Sequence, residues 1–88
     1  MPDGRGNLSR HLRKRSLILA GHDTSVALEP SFWNALEDIA NQQKQTLPQL
    51  VTKVDAARSP EQSLASALRV YALEWLTQQL ATSATPGT

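Results

Sequence analysis

The 88-residue sequence predicts a mainly α-helical chain with one short β-strand, built to pair with a second copy of itself. Three observations predict this. Ser25-Val26-Ala27-Leu28 alternates as a half-buried strand does, with Val26 and Leu28 on one face. Two helical patterns follow it, separated by the polar run Asn41 to Gln45. A third pattern, from Leu64 to Leu80, is apolar around well over half its circumference. So short a strand cannot cover its own apolar side, and a chain this small often needs a partner. A dimer is the expected solution.

Residues 1–14 are rich in charge and poor in apolar groups, so they are expected to form a flexible basic arm. Residues 15–81 form the expected domain, and residues 82–88 a disordered tail of small side chains. Leu17 to Ala20 is apolar on both faces and either makes its own strand or extends the one at Val26. Gly21-His22-Asp23 has the composition of a bend. Were the parity of Val26 unbroken, Leu17 and Leu19 would point outward, so a break near Gly21 is expected.

The first helix starts at Pro30 or Ser31, since proline suits a position whose N–H would be unsatisfied anyway. Phe32, Leu36 and Ile39 form its apolar stripe, widened by Trp33 and Ala40. Thr46 is the expected cap of the second helix, whose seam is Leu47, Leu50, Val51 and Val54. Ser59-Pro60-Glu61-Gln62 reads as the start of the third, with a serine cap and proline at the first position. A helix with that much apolar cover must pack on more than one neighbour, and a dimer would supply the second surface.

Composition removes several function classes. There is no cysteine, which excludes disulfides and thiolate metal sites. His11 and His22 lack the spacing and carboxylate company of a metal site, and no cofactor is implied. No apolar run approaches a membrane span or a signal peptide's core, so a cytoplasmic protein without membrane contact is expected. Net charge is only +1, but residues 1–15 carry five cations against Asp3, and the remainder is net acidic. A basic arm ahead of an acidic body suggests phosphate contact through Arg10, Arg13, Lys14 and Arg15. The alternative is an arm that serves solubility alone.

The segment SVALEPSFWNALEDIA, with its acid-proline step into the first helix, followed by TLPQLV, resembles the ribbon-helix-helix family of bacterial DNA-binding proteins. GHDTSVALEP and FW, together with SLASALRVYALEWL, are similar to a subgroup carrying an extra C-terminal helix. The resemblance implies a dimer whose two strands form an intersubunit antiparallel β-ribbon that enters the major groove of DNA. It implies base-facing roles for Asp23, Ser25 and Ala27, and phosphate contact by Thr46 and Leu47 at the start of the second helix. Of the three readers, Ala27 has no hydrogen-bonding group, and Asp23 would accept from a cytosine amino group. Pro48 also lacks an N–H for an anion, and Lys44 stands where a glycine often closes the first helix.

Phe32 and Trp33 lie on the first turn of an amphipathic helix, which reads as core rather than a platform for stacking bases. Tyr71 and Trp75 read as core or interface. His22, Asp23 and Ser25 supply the residue types of a hydrolytic triad, yet adjacency in sequence is not triad geometry, and no catalytic residue is expected. The expected function is therefore that of a homodimeric transcriptional regulator, associating further on DNA. The rival is a dimeric adaptor or antitoxin-like module that meets a protein partner through the third helix.

Overall fold

The computed structural model describes residues 11–83. Strands β1 (Arg13–Leu19) and β2 (His22–Leu28) precede helices α1 (Pro30–Gln42), α2 (Leu47–Ala57) and α3 (Leu64–Ser83). The two strands form an antiparallel hairpin, paired from Leu19 opposite His22 to Arg13 opposite Leu28. Leu17 to Leu19 thus belongs to a strand of its own, and the chain has two strands where one was expected. Within the chain the two strands already make a two-stranded ribbon.

The reason lies in the turn. Ala20 and Gly21 have φ of 52° and 83°, the left-handed pair that a two-residue hairpin loop needs to match the strand twist. Glycine adopts this without cost, whereas Ala20 is mildly strained. Reversal at these two residues restores the parity that a continuous strand would have broken. Leu17 and Leu19 therefore share a face with Val26 and Leu28, and all four are buried. Val26 and Leu28 are only 5 % and 0 % exposed in one chain. Their own hairpin and helices cover them within the chain.

Below the hairpin, β1 packs on α2 and β2 on α3, while α1 meets both later helices. Trp33, Leu36, Ile39 and Ala40 supply the α1 face of the core, and Leu50, Val51 and Val54 the α2 face. Ala67, Leu68 and Ala72 close it from α3. The indole N–H of Trp33 donates to the Arg13 carbonyl at 2.7 Å, which pins the start of β1 to α1. Arg13 and Lys14, expected within the flexible arm, are instead the first residues of β1. Arg10 lies outside the described residues.

Helix ends explain the boundaries. At the end of α1, Gln45 N–H donates to the Ala40 carbonyl and Lys44 N–H to that of Asn41. These two bonds form a Schellman closure, and Lys44 takes its left-handed position with φ 59°. Thr46 caps α2 as expected. The expected start of α3 moves: Pro60 and Glu61 lie in a turn, and Ser63 Oγ accepts from Ser66 N–H at 3.1 Å as the actual cap. Arg58 holds that turn, donating to Asp55 at 2.7 Å and to the Gln62 carbonyl at 2.6 Å. The carbonyl it captures comes just before the true cap, so the proline start signal is spent on the loop.

Candidate nucleic-acid interface

A strand sends alternate side chains to opposite faces, so burying Leu17, Leu19, Val26 and Leu28 decides what the other face shows. Three cross-strand pairs remain there: Lys14 with Ala27, Ser16 with Ser25, and Ile18 with Asp23. Five of these six residues are exposed and Ala27 is half-buried. The sequence-predicted trio Asp23, Ser25 and Ala27 thus shares one outward face. Lys14, Ser16 and Ile18 complete it, and reading one strand missed Ser16 and Ile18. The signal was present in hindsight, since Ser16 and Ile18 alternate with Leu17 and Leu19. Only the hairpin turn tells which set faces outward.

This face mixes chemistries within a ribbon about 23 Å long, from seven residues at roughly 3.3 Å each. It offers one ammonium, one carboxylate, two hydroxyls and two apolar groups. Ile18 is 62 % exposed near the tip, an unusual place for a β-branched apolar side chain. His22 belongs to the opposite parity from Asp23 and Ser25, so no hydrolytic triad is assembled. Among the described residues, no group of three or more histidines and acids is placed to hold a metal ion.

The other basic residues are divided. Arg13 is exposed at the ribbon's base. Arg15 lies on the inner parity, half-buried, with its guanidinium 2.6 Å from the Glu37 carboxylate and 4.9 Å from the centre of the Trp33 ring. Both partners of that ion pair are well solvated, so exchanging Glu37 for another anion would cost little. Glu37 also borders a small hollow with Asn41, Gln45, Thr46 and Leu47 at the start of α2. Arg15 offsets a carboxylate that would otherwise repel a phosphate there.

The α2 start itself is largely self-satisfied. Thr46 Oγ1 accepts from Gln49 N–H at 3.2 Å, and Gln49 Oε1 accepts from Thr46 N–H at 2.9 Å. This reciprocal box occupies two of the free amides, and Pro48 has none. Leu47 N–H is left to face an anion, aided by the positive end of the helix dipole. Lys44, exposed and two residues ahead of Thr46, is a cation in the same stretch that sequence reasoning treated only as a helix stop.

The aromatic residues are structural. Trp33 is buried, and Phe32 is half-buried with the Arg69 guanidinium 5.7 Å from its ring centre. Tyr71 Oη accepts from Gln43 Nε2 at 2.9 Å, while Gln43 Oε1 accepts from Lys53 at 3.1 Å. Arg69 also binds Glu29 at 2.9 Å, and that hydrogen-bonded guanidinium holds the Glu29 carboxyl below its ordinary range. No helix of the described residues is long and apolar enough to cross a membrane.

Comparison with known proteins adds three findings. A family model described as a ribbon-helix-helix domain matches residues 12–76. A solved structure of an uncharacterized protein from Bordetella pertussis Tohama I is similar at 31% identity and a TM-score of 0.71, covering 92% of this chain and 67% of that one. Among curated proteins, none matches.

Proposed function

The chain belongs to the ribbon-helix-helix family, and from that premise we propose that it is a homodimeric, sequence-specific DNA-binding protein. Its role is that of a bacterial transcriptional regulator, a repressor acting in the cytoplasm, without catalytic activity. One observation carries this reading: the hairpin is a two-stranded ribbon with a solvent-facing row of mixed donors, acceptors and apolar groups. A ribbon of that width fits the major groove, about 12 Å across, where every base pair shows a distinct pattern.

In this reading Lys14 donates to guanine, and Ser16 and Ser25 bond to base edges of either kind. Asp23 accepts from a cytosine amino group, and Ile18 and Ala27 meet thymine methyls. Arg10 and Arg13 hold flanking phosphates, with Arg15 joining them when it leaves Glu37. Thr46 and Leu47 at the start of α2 anchor a further phosphate, the Thr46 amide becoming available when Gln49 swings away. Each copy brings its own ribbon. One ribbon face of six residues distinguishes few base pairs, so selectivity comes from two or more copies on repeated half-sites and from DNA shape.

Mobility shift on DNA from the protein's own promoter tests this. Binding should appear at submicromolar protein in low salt and weaken steeply as salt rises. Lys14→Ala and Ser16→Ala/Ser25→Ala should weaken it, with the lysine change also flattening the salt slope by about one unit. Absence of any shift up to micromolar protein would move the assignment to the second reading, a dimeric adaptor or antitoxin-like module. The apolar surface left on α3 is the observation that favours that alternative.

A further inference from the structure

Strand β1 is an edge strand: β2 pairs with one side of it, and among the described residues no strand pairs with the other. At its middle stands Ser16, exposed on the outward face across from Ser25. The three residues before it are Arg13, Lys14 and Arg15, an unbroken run of cations. Nowhere else in the chain does a lysine or arginine stand three residues ahead of a serine or threonine. Ser25 is exposed on the same face, yet His22, Asp23 and Thr24 precede it. Two accessible hydroxyls thus differ in the charge that leads up to them.

We propose that Ser16 is a phosphorylation site, the substrate of a serine/threonine kinase with an acidic peptide-binding cleft, and that one phosphate there switches the ribbon off DNA. The switch rests on the DNA-binding reading, whereas the site does not. An extended substrate suits a kinase cleft, and β1 already has that shape before it is bound. Charge complementarity then sets which hydroxyl is presented, and the run Arg13 to Arg15 selects Ser16 over Ser25. The γ-phosphoryl group of ATP passes to Ser16 Oγ. Its bond to the ADP oxygen breaks as the Oγ–P bond forms, and the hydroxyl proton goes to the kinase's catalytic aspartate.

The consequence follows from the outward face. Lys14 and Asp23 are its charged groups and leave it with no net charge. A phosphoserine adds about −1.5 to −2 at neutral pH. Lys14 lies two residues from Ser16 on the same face, about 7 Å along the strand, within reach of its flexible stem. The phosphate therefore draws Lys14 into an ion pair and sets an anion where the ribbon would meet DNA. DNA on the ribbon would in turn cover Ser16, so the kinase acts on the free protein.

The test treats the full chain with ATP and the catalytic subunit of cyclic-AMP-dependent protein kinase, a probe that selects for cations ahead of the hydroxyl. Intact-mass and peptide spectra should show one phosphate on Ser16, none on Ser25, and none at that position in Ser16→Ala. Arg13→Ala/Lys14→Ala should slow uptake about tenfold or more. Both side chains are exposed, so circular dichroism should match the wild type. In mobility shift at low salt, the phosphorylated chain should bind DNA about tenfold or more weakly than its mock-treated counterpart. Ser16→Asp, a fixed charge, should weaken binding more than Ser16→Ala, which separates added charge from a lost hydroxyl. A folded chain that takes up no phosphate on Ser16, or takes it up equally on Ser25, would overturn the site. Equal DNA affinity of the phosphorylated and unmodified chains would overturn the switch. An unmodified chain that binds no DNA would overturn the DNA-binding reading and the switch with it, while phosphate on Ser16 alone would uphold the site.

Discussion

The hairpin and the third helix solve the same problem in opposite ways. Each has more apolar surface than a solvated element tolerates. The hairpin turns back at Ala20-Gly21 and places Leu17, Leu19, Val26 and Leu28 on one buried face, leaving mainly polar groups outside. Helix α3 has no such economy, because its apolar residues surround it and a single body covers one side only. Its N-terminal half buries Ala67, Leu68 and Ala72, and Leu73 and Leu80 stay in water. A period-two element can segregate its surfaces completely, whereas a helix apolar on two sides requires two neighbours. The hairpin buries its apolar face within its own chain, and the largest exposed apolar side chains lie on α3 and at Ile18.

The largest test of that contrast is truncation on each side. Leu28→Ala empties a fully buried site and should cost roughly 2–5 kcal/mol in urea unfolding. Leu80→Ala should change single-chain stability by no more than about 0.5 kcal/mol. Equal losses at the two positions would mean that the hairpin is not closed within the chain. Trp33→Phe comes next. It removes the N–H that holds the Arg13 carbonyl and should cost about 1–3 kcal/mol, with faster amide exchange at the start of β1 as the accompanying sign.

A smaller effect, of opposite sign, is expected at the turn. Ala20→Asn creates the favoured Asn-Gly pair for two left-handed residues and should raise stability by about 1 kcal/mol or less. If DNA binding depends on a preformed ribbon, affinity should hold or improve in the same variant. The smallest effect concerns Glu29, which ties the end of β2 to Arg69 on α3. Its folded carboxyl titrates below the unfolded one, because the charged form is held by the guanidinium. The stability it contributes is therefore complete above the ordinary glutamate range and is lost as pH falls through the lowered value. Glu29→Gln should flatten the acid side of a melting-temperature profile taken between about pH 3 and 6, and leave its neutral side nearly level.

Much of the core was legible in the sequence because it rests on local periodicity. The stripe of Leu36 and Ile39, with Trp33 beside it, and the seam of Leu50, Val51 and Val54 follow from helical spacing alone. So does the Thr46 cap, whose side chain has its partner three residues on. The family, too, could be read from the order of strand, proline step and helices. The outward position of Ser25 and Ala27 also followed from alternation, and that of Asp23 from the family resemblance. What these residues contact was not legible, nor was the company of Lys14, Ser16 and Ile18, which depends on pairing across a turn.

By itself the sequence determined which residues are apolar and at what period, hence three helices, a β-like region and an alternating parity from Ser25 to Leu28. Periodicity is a property of neighbours in the chain, so it needs no fold to exist. Tertiary structure decided the rest. It made Leu17 to Leu19 a partner for β2, drew Arg15 to Glu37, and gave the start of α3 to Ser63 because Arg58 captured the Gln62 carbonyl. Each of these outcomes is a competition between groups distant in sequence for the same donor or surface, and only their meeting in space settles it.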